Sequence, residues 1–84
     1  ILTEEQIIIA LTEIKFQMES ISDGTSIRAK NTRKIIDIFL REDISDRLKE
    51  ILEYIVKFDE KNIINKVYKD KEFKELSKGI LIFD

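Results

Sequence analysis

Residues 43–58, DISDRLKEILEYIVKF, show the clearest helical pattern in the chain. Their apolar residues follow one another at intervals of four, three, four and three: Ile44, Leu48, Ile51, Ile55 and Phe58. This spacing places the five side chains on one face of a helix, and Leu52 and Val56 make that face wide enough to border a hydrophobic core. The opposite face is charged and is expected to lie in water. We therefore predict a central helix over this stretch, with Asp43 as its N-cap.

A second stretch of the same kind opens the chain. Thr3 and Gln6 have the spacing of a capping box, in which each side chain bonds the backbone N–H of the other residue. The apolar residues that follow repeat the intervals of the central helix: Ile7, Leu11, Ile14, Met18 and Ile21. We predict that this first helix packs directly against the central one. Gly24 is expected to end it in a left-handed conformation.

Two further regions complete the helical pattern. Between the first and central helices, residues 27–40 predict a helix that is capped by Thr25 or Ser26. Its narrow packing stripe is predicted to consist of Ala29, Thr32, Ile36 and Phe39. The second half of this helix is core-like in composition, with Ile35, Ile36, Ile38, Phe39 and Leu40. After the central helix, we expect Asp59 to cap a fourth helix and Asp70 to cap a short fifth one that stops at Gly79.

These elements predict an all-α protein: a small four-helix bundle with a short fifth C-terminal helix and an extended apolar tail. A chain of 84 residues is large enough for one hydrophobic core, so residues 1–84 are expected to form a single helical domain. The sequence begins with Ile1 rather than methionine. We expect the domain to be a processed product or a piece of a longer chain.

Composition excludes most familiar active sites. The chain contains no Cys and no His, so it lacks the usual zinc ligands, a thiol nucleophile and an imidazole base. A di-iron bundle site is excluded as well, since it needs Glu-x-x-His pairs. A net charge of −2 with 38% charged residues indicates a soluble protein without a global field for nucleic acid. We expect a cytoplasmic protein with no membrane span and no cofactor.

Carboxylates offer the remaining route to catalysis or metal binding. Glu42, Asp43 and Asp46 could hold a cation such as Mg²⁺, but they are explained more simply as a cap and as charges that favour the start of a helix. No acid lies within an apolar stripe, where burial would shift its pKa. We therefore do not expect an enzyme, and a small metal-dependent enzyme is the weakest of the alternatives.

The one local charge anomaly is a basic cluster of Arg28, Lys30, Arg33 and Lys34. Such side chains could contact phosphates of a nucleic acid. No aromatic residue lies among them to stack on a base, and a solvated helix face paired with acids explains them more simply. An accessory nucleic-acid-binding factor is therefore the alternative function.

The preferred function is a non-catalytic protein–protein interaction module or a small subunit of a larger assembly, with a protein partner or self-association. Phe16 lies off the apolar stripe of the first helix and is a candidate interaction residue. Leu81, Ile82 and Phe83 follow the stop at Gly79, and they are expected to dock on this domain, to begin a strand or to contact a partner. These four apolar residues are the candidate interaction site.

Overall fold

The computed structural model describes residues 1–81, and no β-strand forms within them. The elements in chain order are α1 (Glu4–Glu19), α2 (Ile27–Phe39), α3 (Asp46–Glu60), a 3₁₀ helix (Ile64–Lys69) and α4 (Lys71–Leu76). The prediction of an all-helical protein with a short last helix is confirmed. The fourth helix, however, is a 3₁₀ segment of six residues rather than an α-helix.

The predicted capping box starts α1. The backbone N–H of Gln6 donates to Thr3 Oγ1 at 3.2 Å, and the N–H of Thr3 donates to Gln6 Oε1 at 2.9 Å. The core face consists of four buried residues in the predicted spacing: Ile7, Leu11, Ile14 and Met18. The helix thus begins where its unsatisfied N–H groups find side-chain oxygens, and it turns its apolar stripe inward.

Serine residues cap the next two helices. Ser26 accepts from the N–H of Ala29 at the start of α2, and Ser45 accepts from the N–H of Leu48 at the start of α3. The prediction that Asp43 caps the central helix was therefore wrong. The Glu4 carboxylate accepts the N–H of Ser45 at 2.7 Å, which anchors the backbone where it enters α3.

The 3₁₀ helix lies between α1 and α3. It packs closely against both helices, and α3 also packs against α2. Tyr68 in the 3₁₀ helix is buried, and its hydroxyl donates to the carbonyl of Leu11 at 2.7 Å. The main neighbour of both α1 and the central helix is thus the 3₁₀ helix, whereas the sequence predicted that they would be each other's main partner. The 3₁₀ helix buries three residues: Ile64, Val67 and Tyr68.

Gly24 has a different role from the one predicted. The helix α1 ends at Glu19, before a right-handed Ser20, and Gly24 does not have a positive φ. Instead Gly24 is buried, and a Cβ atom there would lie only 2.1 Å from the carbonyl oxygen of Asn62. Glycine is required because the backbone of another loop passes too close for any side chain.

Asp59 is not a cap either. It lies inside α3, which continues to Glu60, and its side chain is buried. Oδ2 of Asp59 accepts a hydrogen bond from Nη1 of Arg33 at 2.9 Å. The chain leaves α3 through Asn62, whose φ of 61° is left-handed. The sequence around Asp59 resembles a helix cap, but the residue forms a long-range ion pair instead.

The C-terminal part follows the sequence prediction more closely. Asp70 caps α4 by accepting the N–H of Phe73 at 3.0 Å, and Gly79 adopts a φ of 84° beyond the end of that helix. Arg47 of α3 holds this end in place by donating to the carbonyl oxygens of Leu76 and Lys78. The chain then turns back, so that Leu81 is buried in the core.

Candidate interaction surface

The outward side of α3 faces solvent and serves as a reference for the other helices. Its apolar residues Leu48, Ile51 and Ile55 are at most 1% exposed. Its exposed positions are occupied by charged residues: Asp46, Arg47, Lys49, Glu50, Glu53, Lys57 and Glu60. Every exposed position of α3 is therefore charged, and Asp59 near the end of the helix is a charged residue that is buried.

The helix α1, in contrast, has large apolar residues on its exposed side. Ile9 and Phe16 are 59% and 61% exposed. They are seven residues apart, which places them on one side of the helix, opposite the buried stripe that contains Leu11 and Met18. We call Ile9 and Phe16 the outer face of α1. Nζ of Lys15 lies 5.6 Å from the centre of the Phe16 ring, so a cation covers part of that ring.

The helix α2 has a similar outer face, made of Ile27, Ile35 and Ile38. The exposed fractions of Ile27 and Ile38 are 82% and 51%, and that of Ile35 is 38%. The interpretation of Ile35 and Ile38 as core-like was wrong. The predicted narrow stripe is confirmed, because Ala29, Thr32, Ile36 and Phe39 are all buried. Ala29 and Thr32 are the small residues of this stripe, and they let the first end of α2 lie close to its neighbours. The isoleucines off the stripe remain exposed to solvent.

The four residues of the basic cluster differ in their contacts. Arg33 forms ion pairs with Asp37 at 3.1 Å and with Asp59 at 2.9 Å, and its hydrogen bonds to Asp37 and then to Asp59 raise the pKa of the guanidinium group. Within the described part of the chain, Arg28 and Lys30 make long hydrogen bonds, of 3.5 Å to Ser20 Oγ and 3.4 Å to Asn62 Oδ1.

Lys34 is exposed and has no ion pair within residues 1–81. The structure thus makes Arg33 part of the protein's internal framework and leaves the other three bases of the cluster facing solvent.

The tail residues also differ from one another. Leu81 docks on this domain and is 5% exposed, and Ile80 packs partly against the same core. Docking is one of the three alternatives that the sequence left open for this segment. Ile82 and Phe83 lie outside the described residues, so their role in an interaction stays a prediction.

A groove of about 350 Å³ lies between α3 and α4, and Tyr54, Leu76 and three charged residues line it. Tyr54 donates its hydroxyl proton to Asp70 Oδ2 at 2.6 Å and lies 3.3 Å from Glu72 Oε2. The hydrogen bond to Asp70 raises the pKa of Tyr54 well above its usual value and lowers that of Asp70. A tyrosine so held is a poor proton acceptor near neutral pH, and the network serves to fix the start of α4.

The three carboxylates considered as cation ligands have different environments. Glu42 Oε1 accepts the backbone N–H of Leu2 at 2.6 Å, Asp43 is exposed, and Asp46 lies in the first turn of α3. Across residues 1–81, no group of three or more potential ligands is arranged to hold a metal ion.

Comparisons of the chain with protein-family models, with curated proteins and with solved structures find no match. Among residues 1–81 there is also no helix with the length and apolar character needed to cross a membrane.

Sequence reasoning identified Phe16 but overlooked Ile9, Ile27, Ile35 and Ile38 as surface residues. A signal for them exists in the sequence. Ile27 and Ile38 are eleven residues apart, which is three helical turns, and Lys34 lies between them on the same side. The apolar residues of α2 thus form a second line on the side of the helix opposite its buried stripe.

Proposed function

We propose that this chain is a non-catalytic protein–protein interaction module, or a small subunit of a larger assembly, which binds protein through the outer faces of α1 and α2. One observation carries the proposal: large apolar side chains at helical spacing remain exposed on both faces, whereas the outward side of α3 is charged. Scattered exposed apolar residues are normal, but groups of them on a surface are typical of interaction sites.

The physical reason is the free energy of these side chains in water. Burying one large apolar side chain contributes about 1.5 to 3 kcal/mol. A partner that covers Ile9 and Phe16, or Ile27 and Ile38, gains this contribution several times. We also propose a cytoplasmic location, because a chain without cysteine needs no oxidising compartment to fold.

The test is to remove the apolar surface without disturbing the core. Phe16→Asp and Ile38→Asp each place a charge on an outer face, and Lys49→Asp adds the same residue on the outward side of α3 as a control. Each variant and the wild type are immobilised and incubated with an extract of the source cells, and the retained proteins are quantified by mass spectrometry.

We expect wild type and Lys49→Asp to retain one common set of proteins that both outer-face variants lose. All variants should keep the helical circular-dichroism spectrum of the wild type. Retention of the same proteins by all four chains would overturn the proposal.

Nucleic-acid binding is the second candidate, and the exposure of Arg28, Lys30 and Lys34 favours it. Replacing these three residues with Gln should abolish retention on DNA or RNA and its salt dependence, if nucleic acid is the ligand. Arg33 is left in place because Asp59 depends on it. Absence of wild-type binding at low salt would eliminate this candidate.

A further inference from the structure

The two outer faces carry opposite charges. The helix α1 contains four glutamates and one lysine, whereas α2 contains two arginines, two lysines and one aspartate. Several of these charges already have partners within the chain. Glu19 pairs with Lys15, Glu4 accepts from Ser45, and Arg33 is held by two aspartates. The charges that remain are distributed by sign, with acids on α1 and bases on α2.

On each helix, one of the remaining charges lies among the apolar residues of the outer face. On α1, Glu13 lies four residues after Ile9 and three before Phe16, so it is on the same side of the helix as both. On α2, Lys34 lies seven residues after Ile27 and four before Ile38. Glu13 and Lys34 are both exposed, and neither has an ion pair within the described part of the chain. Each outer face is therefore a line of apolar residues with one charge between them, acidic on α1 and basic on α2.

We propose that the outer face of α1 binds the outer face of α2 on a second copy of this chain. The proposal rests on the proposed function and names the partner of the same surface. The two faces cannot meet within one molecule, because each lies on the side of its helix that is turned away from the core.

Pairing α1 with α1, or α2 with α2, would bring Glu13 next to Glu13 or Lys34 next to Lys34. Pairing α1 with α2 instead buries the apolar residues and matches the charges. The apolar residues supply the driving force for association, and the charges select which helices meet. If both pairs form together, two copies make a closed dimer in which each chain contributes both faces.

Charge reversal in two separate variants tests this arrangement. Glu13→Lys makes the α1 face basic, so in a sample of this variant alone the face meets Lys34 of the second copy. Lys34→Glu makes the α2 face acidic, so it meets Glu13. Each variant alone should dissociate at least about tenfold more readily than the wild type in sedimentation equilibrium over a concentration series. In an equimolar mixture, every contact pairs opposite charges again, and association should return.

Glu50→Lys on α3 is the matched control, and it should associate like the wild type. Association of the wild type should also weaken with added salt. A wild type that stays monomeric at all concentrations would overturn the inference, as would single variants that associate normally or a mixture that stays monomeric. Stronger association of an equimolar mixture of Glu13→Lys and wild type than of the wild type alone would show an α1–α1 contact and also overturn it.

These outcomes differ from failure of the proposed function. If the wild type is monomeric but Phe16→Asp and Ile38→Asp still lose captured proteins, the surface binds a different partner and only the inference fails. If neither self-association nor capture depends on the outer faces, the proposed function fails as well.

Discussion

Asp59 places a carboxylate inside the protein, where its side chain is only 8% exposed. Oδ2 accepts from Arg33, and Oδ1 has no hydrogen-bond partner within residues 1–81. A buried carboxylate without compensation is strongly unfavourable, so Arg33 supplies the opposite charge that compensates Asp59. The ion pair joins the middle of α2 to the end of α3.

Replacing Arg33 by Gln should therefore lower the free energy of unfolding by about 2 to 4 kcal/mol. This is somewhat less than for fully buried pairs, since the Arg33 side chain is 30% exposed. Urea unfolding measures the loss. Asp37→Ala removes only the exposed partner and should cost about 0.5 kcal/mol or less.

The double variant Arg33→Gln with Asp59→Asn should recover part of the stability lost by Arg33→Gln alone, because no unpaired charge is left behind. A double variant no more stable than Arg33→Gln would mean that the ion pair is not what holds the two helices.

Sequence patterns predicted the start of a helix correctly where a hydrogen bond within one helical turn determines it. The capping box of Thr3 and Gln6 and the cap at Asp70 are bonds within one helical turn, and both are present. Asp43 and Asp59 fit the same capping pattern and are not caps. Ser45 competes successfully with Asp43, and Asp59 is taken by Arg33, 26 residues away along the chain. A local pattern contains no information about such a partner.

The prediction that Ile35 and Ile38 of α2 are core residues was wrong for a related reason. Isoleucine is apolar on either side of a helix, and only the neighbouring elements determine which side is covered. Ala29 and Thr32 indicated the packing stripe correctly. They did not show that no element within residues 1–81 covers Ile35 and Ile38.

The start of α4 gives a pH-dependent prediction. The hydrogen bond from Tyr54 lowers the pKa of Asp70 below its usual value. The stabilisation is therefore present above the unfolded-state pKa of about 4 and is lost as the pH falls through the lower folded-state pKa. Tyr54→Phe should destabilise the protein by about 1 kcal/mol at pH 7, and by less at acidic pH.

Tyr68→Phe is the control for this experiment, because Tyr68 donates to a backbone carbonyl that does not titrate. Urea unfolding of both variants at neutral and acidic pH measures the difference. Tyr68→Phe should lose the same stability at both pH values. An equal loss at both pH values for Tyr54→Phe would show that Asp70 is not the important partner.

For the whole molecule, stability depends on one core that α3 shares with α2 and the 3₁₀ helix. Leu48 and Ile51 are at most 1% exposed, so Leu48→Ala or Ile51→Ala should each lower the free energy of unfolding by about 2 to 5 kcal/mol. Such a loss is a large part of a total of about 5 to 15 kcal/mol. Glu50→Ala on the outward side should change it little. Similar losses for all three variants would contradict the orientation of α3.

The C-terminal segment contributes to the same core through Leu81. Deletion of residues 80–84 should therefore destabilise the fold. Deletion of residues 82–84 alone retains Leu81 and therefore tests Ile82 and Phe83 as interaction residues without removing a buried side chain.

We propose that protein partners cover the outer faces of α1 and α2. The most direct measurement is a set of ¹⁵N–¹H NMR spectra of the labelled chain, recorded dilute and then in its associated state with a second copy or with a captured partner. We predict that the amides that shift or broaden cluster around Ile9, Phe16, Ile27 and Ile38, while those around Lys49 and Glu53 of α3 stay unchanged. Changes confined to α3 and the groove beside Tyr54 would contradict the claim.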